Sequence, residues 1–252
     1  MKVVCIGSGN VATHFCVALK AKGADVIQVW SKSDENAAVL ARLIGAQPVS
    51  DLALIDKTAA LYLIAVKDDA IAEISAVLKG ISGLVVHTSG ATDISVLSGY
   101  ENYGVFYPLQ TFSKSRGIDF NKVPLCLEAG SEQVMKRLKE IAGKLGGPVY
   151  EVDSRKRKIL HLSAVFACNF VNHMYVLGNV VLNEHRLDFE MLRPLIMETA
   201  EKVQADLPVN VQTGPAVRHD EQTELKHLQL LTGAPQLQEI YQTLSNSIKK
   251  TH

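Results

Sequence analysis

The chain has 252 residues, enough for one large domain or two modest ones with a substantial core. Lys and Arg together number 26, as do Asp and Glu, so the net charge is zero. A nucleic-acid or anionic-membrane partner, which needs a basic excess, is not expected, and 47% hydrophobic with 21% charged residues is the balance of a soluble globular protein.

The N-terminal part alternates short apolar runs with amphipathic helices. VVCIG reads as a strand and Asn10–Lys22 as a helix with Val11, Phe15, Ala18 and Leu19 on one face. ADVIQVW is a second strand and Glu35–Ile44 a second helix. LYLIAV is a buried strand, followed by an acidic helix start at Asp68-Asp69 and the helical run IAEISAVLKG. GLVVHTSG is a strand that ends in small polar residues. YGVFY and PLCLEA are weaker strands, Glu132–Leu145 is a helix, and PVYEV is the last strand. Such alternation predicts an α/β domain over residues 1–153, a Rossmann-like, mostly parallel, doubly wound sheet with helices on both faces. Its ligand is expected beyond the carboxyl ends of the strands, at Gly7, Trp30-Ser31, Ala65-Val66 and His87-Thr88-Ser89.

Near Asp153 the strands stop. Residues 159–182 predict a long helix, Phe189–Ala205 a second, and two shorter helices follow near 220–231 and 235–248. Residues 154–252 are therefore expected to form an all-helical domain for substrate binding and dimerisation. The basic run at 156–158 reads as a solvated helix start with no function. The 159–182 segment is long enough to span a bilayer. However, His161, Asn169, Asn172, His173 and Asn179 are costly in hydrocarbon. A helix buried in protein is expected instead. Because it is apolar on most faces, a homodimer through this helix is expected to cover it. Cys5, Cys16, Cys126 and Cys168 each lie in an apolar run, without metal-ligand spacing. They read as small buried hydrophobes in a reducing cytoplasm, and no leader peptide is expected.

GSGNVA, residues 7–12, follows the first strand and opens the first helix, which is the context of a dinucleotide fingerprint. Gly7 permits the tight turn, Gly9 lets the backbone approach a pyrophosphate, and Ala12 allows close helix–sheet packing. Ser8, Asn10 and Val11 complete the cradle, and the helix N-terminus offers N–H groups and a positive dipole end. The second strand ends in Ser31-Lys32-Ser33, without the carboxylate that holds the ribose 2′-hydroxyl of NAD. Two hydroxyls and a cation suit a 2′-phosphate, so NADP is expected ahead of NAD. Ala65, Val66 and Thr88, at neighbouring strand ends, complete the expected cofactor contacts.

Candidates for chemistry lie further on. On a helical wheel Cys168, Asn172 and Asn179 fall within roughly 20° of His161, and Asn169 about 80° away. The stripe has two readings: helix–helix or dimer contacts, or a substrate site in which His161 donates a proton and Asn169 or Asn172 holds the substrate. His87 reads as a packed residue below the cofactor. Ser89-Gly90 reads as a turn or as a substrate contact. In TGPAVRHD, residues 213–220, Pro215 fits the first position of a helix capped by Thr213 or Gly214. Arg218 is suited to clamp a carboxylate or phosphate, and Asp220 to orient Arg218 or His227; a surface ion pair explains both equally.

GSGNVA, WSKS, LIAVKDDAI and HTSGA together resemble the pyrroline-5-carboxylate reductase, 6-phosphogluconate and β-hydroxyacid dehydrogenase group. HTSGA, YPLQTF, AVFACNFVNHM and TGPAVRHD are most similar to an uncharacterised branch of NADP oxidoreductases. That branch joins a Rossmann-like half to a helical C-terminal domain of unknown function, and the resemblance spans the chain. It implies hydride transfer between a nicotinamide and a small C=O or C=N substrate held between the domains. NADP is the implied cofactor, ahead of NAD or a deazaflavin coenzyme. Two positions depart from the pattern. The Lys that β-hydroxyacid and 6-phosphogluconate dehydrogenases carry one turn before an Asn is Val165 here, ahead of Asn169. Where the branch has His-Pro before Leu-Gln-Thr-Phe, this chain has Tyr107-Pro108. Oxidation of a 3-hydroxyacid by the lysine mechanism is therefore disfavoured. Two alternatives stand beside the oxidoreductase: a non-catalytic NADP-binding module that senses redox state or acts on a partner, and an imine reductase, whose chemistry rests on the cofactor and a hydroxyl.

Overall fold

The computed structural model describes all 252 residues. Strands β1 (Lys2–Ile6), β2 (Asp25–Trp30), β3 (Gln47–Val49), β4 (Leu61–Ile64), β5 (Leu84–His87), β6 (Tyr103–Pro108), β7 (Leu125–Ala129) and β8 (Val149–Glu151) form one sheet in the order β3-β2-β1-β4-β5-β6-β7-β8. From β3 to β6 all neighbours pair in parallel. β7 runs antiparallel to β6, with Val105 opposite Glu128 and Tyr107 opposite Cys126, and β8 is parallel to β7. The order reverses between β1 and β4, which makes the ends of these two strands the crevice where such sheets take ligands.

Both faces of the sheet are covered because the strands alternate apolar residues toward two cores. Val3 and Cys5 of β1 face helices α1 (Asn10–Ala21), α2 (Asp34–Ile44) and α4 (Glu132–Leu145). Val4 and Ile6 face α3 (Asp68–Val77) and the segment around Ile55–Ala59. Helix α1 turns Ala12, Phe15, Cys16 and Leu19 inward, the spacing of a core-facing helix. Local signals start the other helices. The Ser33 hydroxyl accepts from the Asn36 N–H at the head of α2, and the Ser131 hydroxyl accepts from the Val134 N–H at the head of α4.

The chain divides into two compact units, Met1–Asn169 and Phe170–His252. Helix α5 (Ser154–Ala164) belongs to the first, and starts earlier than the apolar pattern predicts because the Asp153 carboxylate accepts from the Lys156 N–H at 2.7 Å and caps it. The basic run therefore lies inside the helix rather than in solvent before it. Arg157 is fully buried, which corrects the reading of that run as a solvated start. Residues 165–170 form a π-helical turn.

The second unit holds α6 (Val171–Glu184), α7 (Arg193–Ala205), α8 (Glu221–Leu230) and α9 (Pro235–Thr251), with no strand. Residues 154–184 together are long and apolar enough to cross a membrane by length and composition. The expected burial of this helix does not occur within the chain. α6 has no buried residue, and Leu162 and Val176 are 58% and 49% exposed. In the 213–220 stretch, Pro215 leads only a single 3-10 turn, Ala216–Arg218, which His219 ends at φ 53°. The helix that follows is capped by Asp220 instead of Thr213 or Gly214.

Candidate active site

The ends of β1, β2, β4, β5 and β6 open into a cavity of about 1010 Å³, within the size range of cofactor clefts. Gly7, Ser8, Gly9, Asn10 and Val11 form one wall, with Trp30, Ser31 and Lys32 beside them. Gly7 has φ +122°, and a Cβ there would lie 2.1 Å from the Ala65 carbonyl oxygen, so only glycine lets β1 turn so close to β4. A Cβ at Gly9 would meet nothing within 4 Å, so the room above this residue belongs to the cavity. Helix α1 has no side-chain cap and no acidic residue in its first turn, unlike α2, α3 and α4. Its N–H groups and positive dipole end are thus left for an anion.

The hydroxyls of Ser8 and Ser31 are hydrogen-bonded at 2.7 Å, which joins the cradle to the end of β2. Lys32 lines the cavity next to them, and the acidic pair Asp34 and Glu35 is turned to the start of α2. Ser33 lies outside the wall because its hydroxyl caps α2, and Ala12 lies behind the wall in the core. Ala65, Val66 and Thr88 stand on the wall as expected. So do Gln110 and Phe112, from the segment after β6. The Asn10 amide donates to the Phe112 carbonyl at 2.8 Å, and the His14 ring bonds the Ser113 carbonyl, which pins that segment over the start of α1.

At the far end of the cavity His161 meets Tyr107. His161 Nδ1 and Tyr107 Oη are hydrogen-bonded at 3.0 Å. Burial pushes the Tyr107 phenol up to about 12, with Cys126 and Asp68 adding to the effect and Arg157 opposing it. Gly90 makes this meeting possible. A Cβ there would lie 2.7 Å from His161 Nδ1 and 2.8 Å from Tyr107 Cζ. The neighbouring turn is held by the Ser89 hydroxyl, which accepts from the N–H groups of Ala91 and Thr92 at 3.0 and 2.9 Å.

Below the site, His87 is fully buried and its Nδ1 accepts from the Ser89 N–H at 3.2 Å. Desolvation, helped by the Arg157 charge, pushes it down to about 4 against the pull of the Asp93 carbonyl and carboxylate. It is neutral at pH 7 and packed off the cavity wall.

Asn169 is exposed in the π turn, and Asn172 is exposed on α6. Arg218 and Asp220 lie in the second unit, where Arg218 is exposed. Asp220 accepts from the Thr223 hydroxyl and N–H at 2.8 and 3.1 Å; these bonds, the hydroxyl's first, hold its carboxyl below the usual range. Asn169, in the same unit as the cavity, does not line it. Sequence reasoning missed Tyr107 as a partner of His161, Gly90 as the space that admits the ring, and Arg157. One signal was available: Arg157 precedes His161 by four residues, hence shares its helix face.

Residues 1–111 match the model of a Rossmann-like domain, and residues 123–248 match the domain of unknown function DUF2520. The chain belongs to the family that joins these two domains. A solved member-like structure, a "putative NADP oxidoreductase" from Bacteroides fragilis, is 44% identical with a TM-score of 0.93, covering 99% of this chain and 98% of that one. More distant solved structures share the fold. An imine reductase from Myxococcus stipitatus in complex with NADP+ is 14% identical with a TM-score of 0.69 over 99% and 92% of the two chains. A pyrroline-5-carboxylate reductase from Coxiella burnetii is 18% identical with a TM-score of 0.58 over 99% and 97%. Functionally curated proteins gave no match to the chain. The chain thus shares the fold of these solved reductases.

Proposed function

We propose that this protein is an NADP-dependent reductase that delivers hydride to a small C=O or C=N substrate. The observation that carries the reading is the His161–Tyr107 hydrogen bond in the same cavity as the glycine cradle. A proton-donating pair and a dinucleotide cradle in one cleft are the parts a reductase needs. Solved neighbours holding NADP+ or NAD+ support a nicotinamide cofactor. The carboxylate-free end of β2 supports NADP. Gly9, Asn10 and the uncapped start of α1 would hold the pyrophosphate, and Ser31 with Lys32 the 2′-phosphate.

When bound, the nicotinamide supplies or accepts the hydride. The protein's residues position the substrate and move the proton. Tyr107, held as a phenol by burial, is hydrogen-bonded to His161 Nδ1 and so leaves Nε2 to face the substrate. As the imidazolium, His161 gives its Nε2 proton to the oxygen or nitrogen of the reduced double bond, becomes the neutral ring, and takes up a proton from solvent. No lysine is required, consistent with Val165 one turn before Asn169.

The working form is a homodimer through the 159–182 helix. Ile159, Leu162, Val176 and Val180 are exposed on it, more apolar surface than a monomer keeps in water without reason. His173 and Asn179 on the same helix disfavour a bilayer as the cover.

The test is fluorescence titration with NADPH and NADH, followed by a turnover screen over imines, ketones and 2-oxo acids. His161→Ala and Tyr107→Phe are expected to lower kcat by about 100-fold while NADPH affinity stays within about twofold. Tight NADPH binding without turnover of any compound would instead favour the binding-module reading.

A further inference from the structure

Arg157 sits one helical turn before His161 on α5 and is fully buried. Its Nε donates to the Ser89 carbonyl at 3.2 Å, and its Nη2 donates to the Thr92 carbonyl and to the Ser154 hydroxyl. Its Nη1 is ion-paired with the Glu128 carboxylate. Glu128 in turn accepts from the Ser154 N–H at 2.9 Å and from the Ser154 hydroxyl at 2.8 Å. One guanidinium thereby joins three pieces of chain.

Each piece holds one member of the site. The Ser89 and Thr92 carbonyls bracket Gly90, whose missing side chain is what admits the His161 ring. Glu128 stands on β7 opposite Val105, two residues from Tyr107 on β6. Ser154 and Arg157 stand on the helix that carries His161. Burying a cation is costly, and an apolar side chain of similar volume commonly packs as well or better. A planar fork that bonds two carbonyls, a hydroxyl and a carboxylate in fixed directions does what an apolar residue cannot.

The geometry points to Arg157 as a positioning residue that sets the His161 ring against Tyr107 and so fixes its tautomer. The inference rests on the reading of His161 as proton donor, but its test does not. In the full-length protein with NADPH, at a pH high enough that the ring is neutral, the His161 ring nitrogens are followed by NMR alongside thermal melts. In the unsubstituted protein they are expected as two well-separated signals of a single tautomer. In Arg157→Lys they collapse to an averaged pair, because a single ammonium cannot make all four contacts. Ser154→Ala, which deletes one hydroxyl from the cluster, serves as the milder variant should Arg157→Lys not fold, and is expected to move the two signals toward each other. A residue that merely supports the fold would shift the melt and leave the signals apart. Well-separated signals in a folded Arg157→Lys, or an unchanged separation in Ser154→Ala, overturn the proposal; so do averaged signals in the unsubstituted protein. If His161→Ala retains full turnover, the reductase reading of His161 fails while the NMR result still decides what Arg157 positions.

Discussion

Met1–Asn169 seals the aliphatic residues of its central strands, with Val3–Ile6, Leu61–Ile64 and Leu84–Val86 all buried. Phe170–His252 buries only Ala216 among its hydrophobic residues, and leaves Met191, Leu195, Leu207 and Leu230 in the open. In the first unit the helices α1 to α4 come from crossovers that return the chain to the sheet, so their apolar stripes find a face beside them in sequence. The second has helices alone and too few mutual faces to cover them. Polar contacts form within it: Lys249 is ion-paired with Glu224 at 2.8 Å, and His227 bonds Tyr241 at 2.8 Å. The contrast teaches that one chain can close a self-sufficient core in one unit and leave the apolar surface of another uncovered.

The strongest way to break this comparison is to charge the exposed face. Val176→Glu with Val180→Glu is expected to weaken self-association by about 4 kcal/mol, read by gel filtration and sedimentation. The first unit should keep its own unfolding transition. A chain already monomeric before substitution would remove the contrast.

A smaller effect sharpens the first unit's side. His87 is held near 4 in the fold against 6.5 in the free side chain, so folding excludes its proton. The stability it contributes is complete above about pH 6.5 and falls away as the pH drops toward 4, by roughly 3 kcal/mol in all. Urea melts across that range should show the loss, and His87→Asn should flatten it. The smallest effect concerns the cofactor. Lys32→Ala should weaken NADPH by about tenfold and leave NADH unchanged, the difference one charge-assisted contact makes.

Several features could be read without a structure. The alternation of LYLIAV, GLVVHTSG and their helices specified the sheet, and the tight turn at Gly7 was visible in GSGNVA. Ser31-Lys32 was recognisable as a wall without a carboxylate. Ser33 was misplaced because its hydroxyl is equally suited to cap a helix. The short β3 escaped notice because three residues carry little periodicity.

What the sequence by itself determined was the frame: most of the strands, the tight glycine turn between the first strand and the first helix, and the strand-free part after residue 153. These are local properties, encoded by spacing and turn chemistry within a dozen residues. Only the tertiary structure brought Gly90, Tyr107 and His161 to one point and buried Arg157 behind them. Those residues come from β5's turn, β6 and α5, which meet because of sheet order and the antiparallel return of β7. Contacts between residues far apart in sequence leave no periodic trace. A basic residue in a basic run therefore looked solvated until the fold placed a carboxylate and two carbonyls around it.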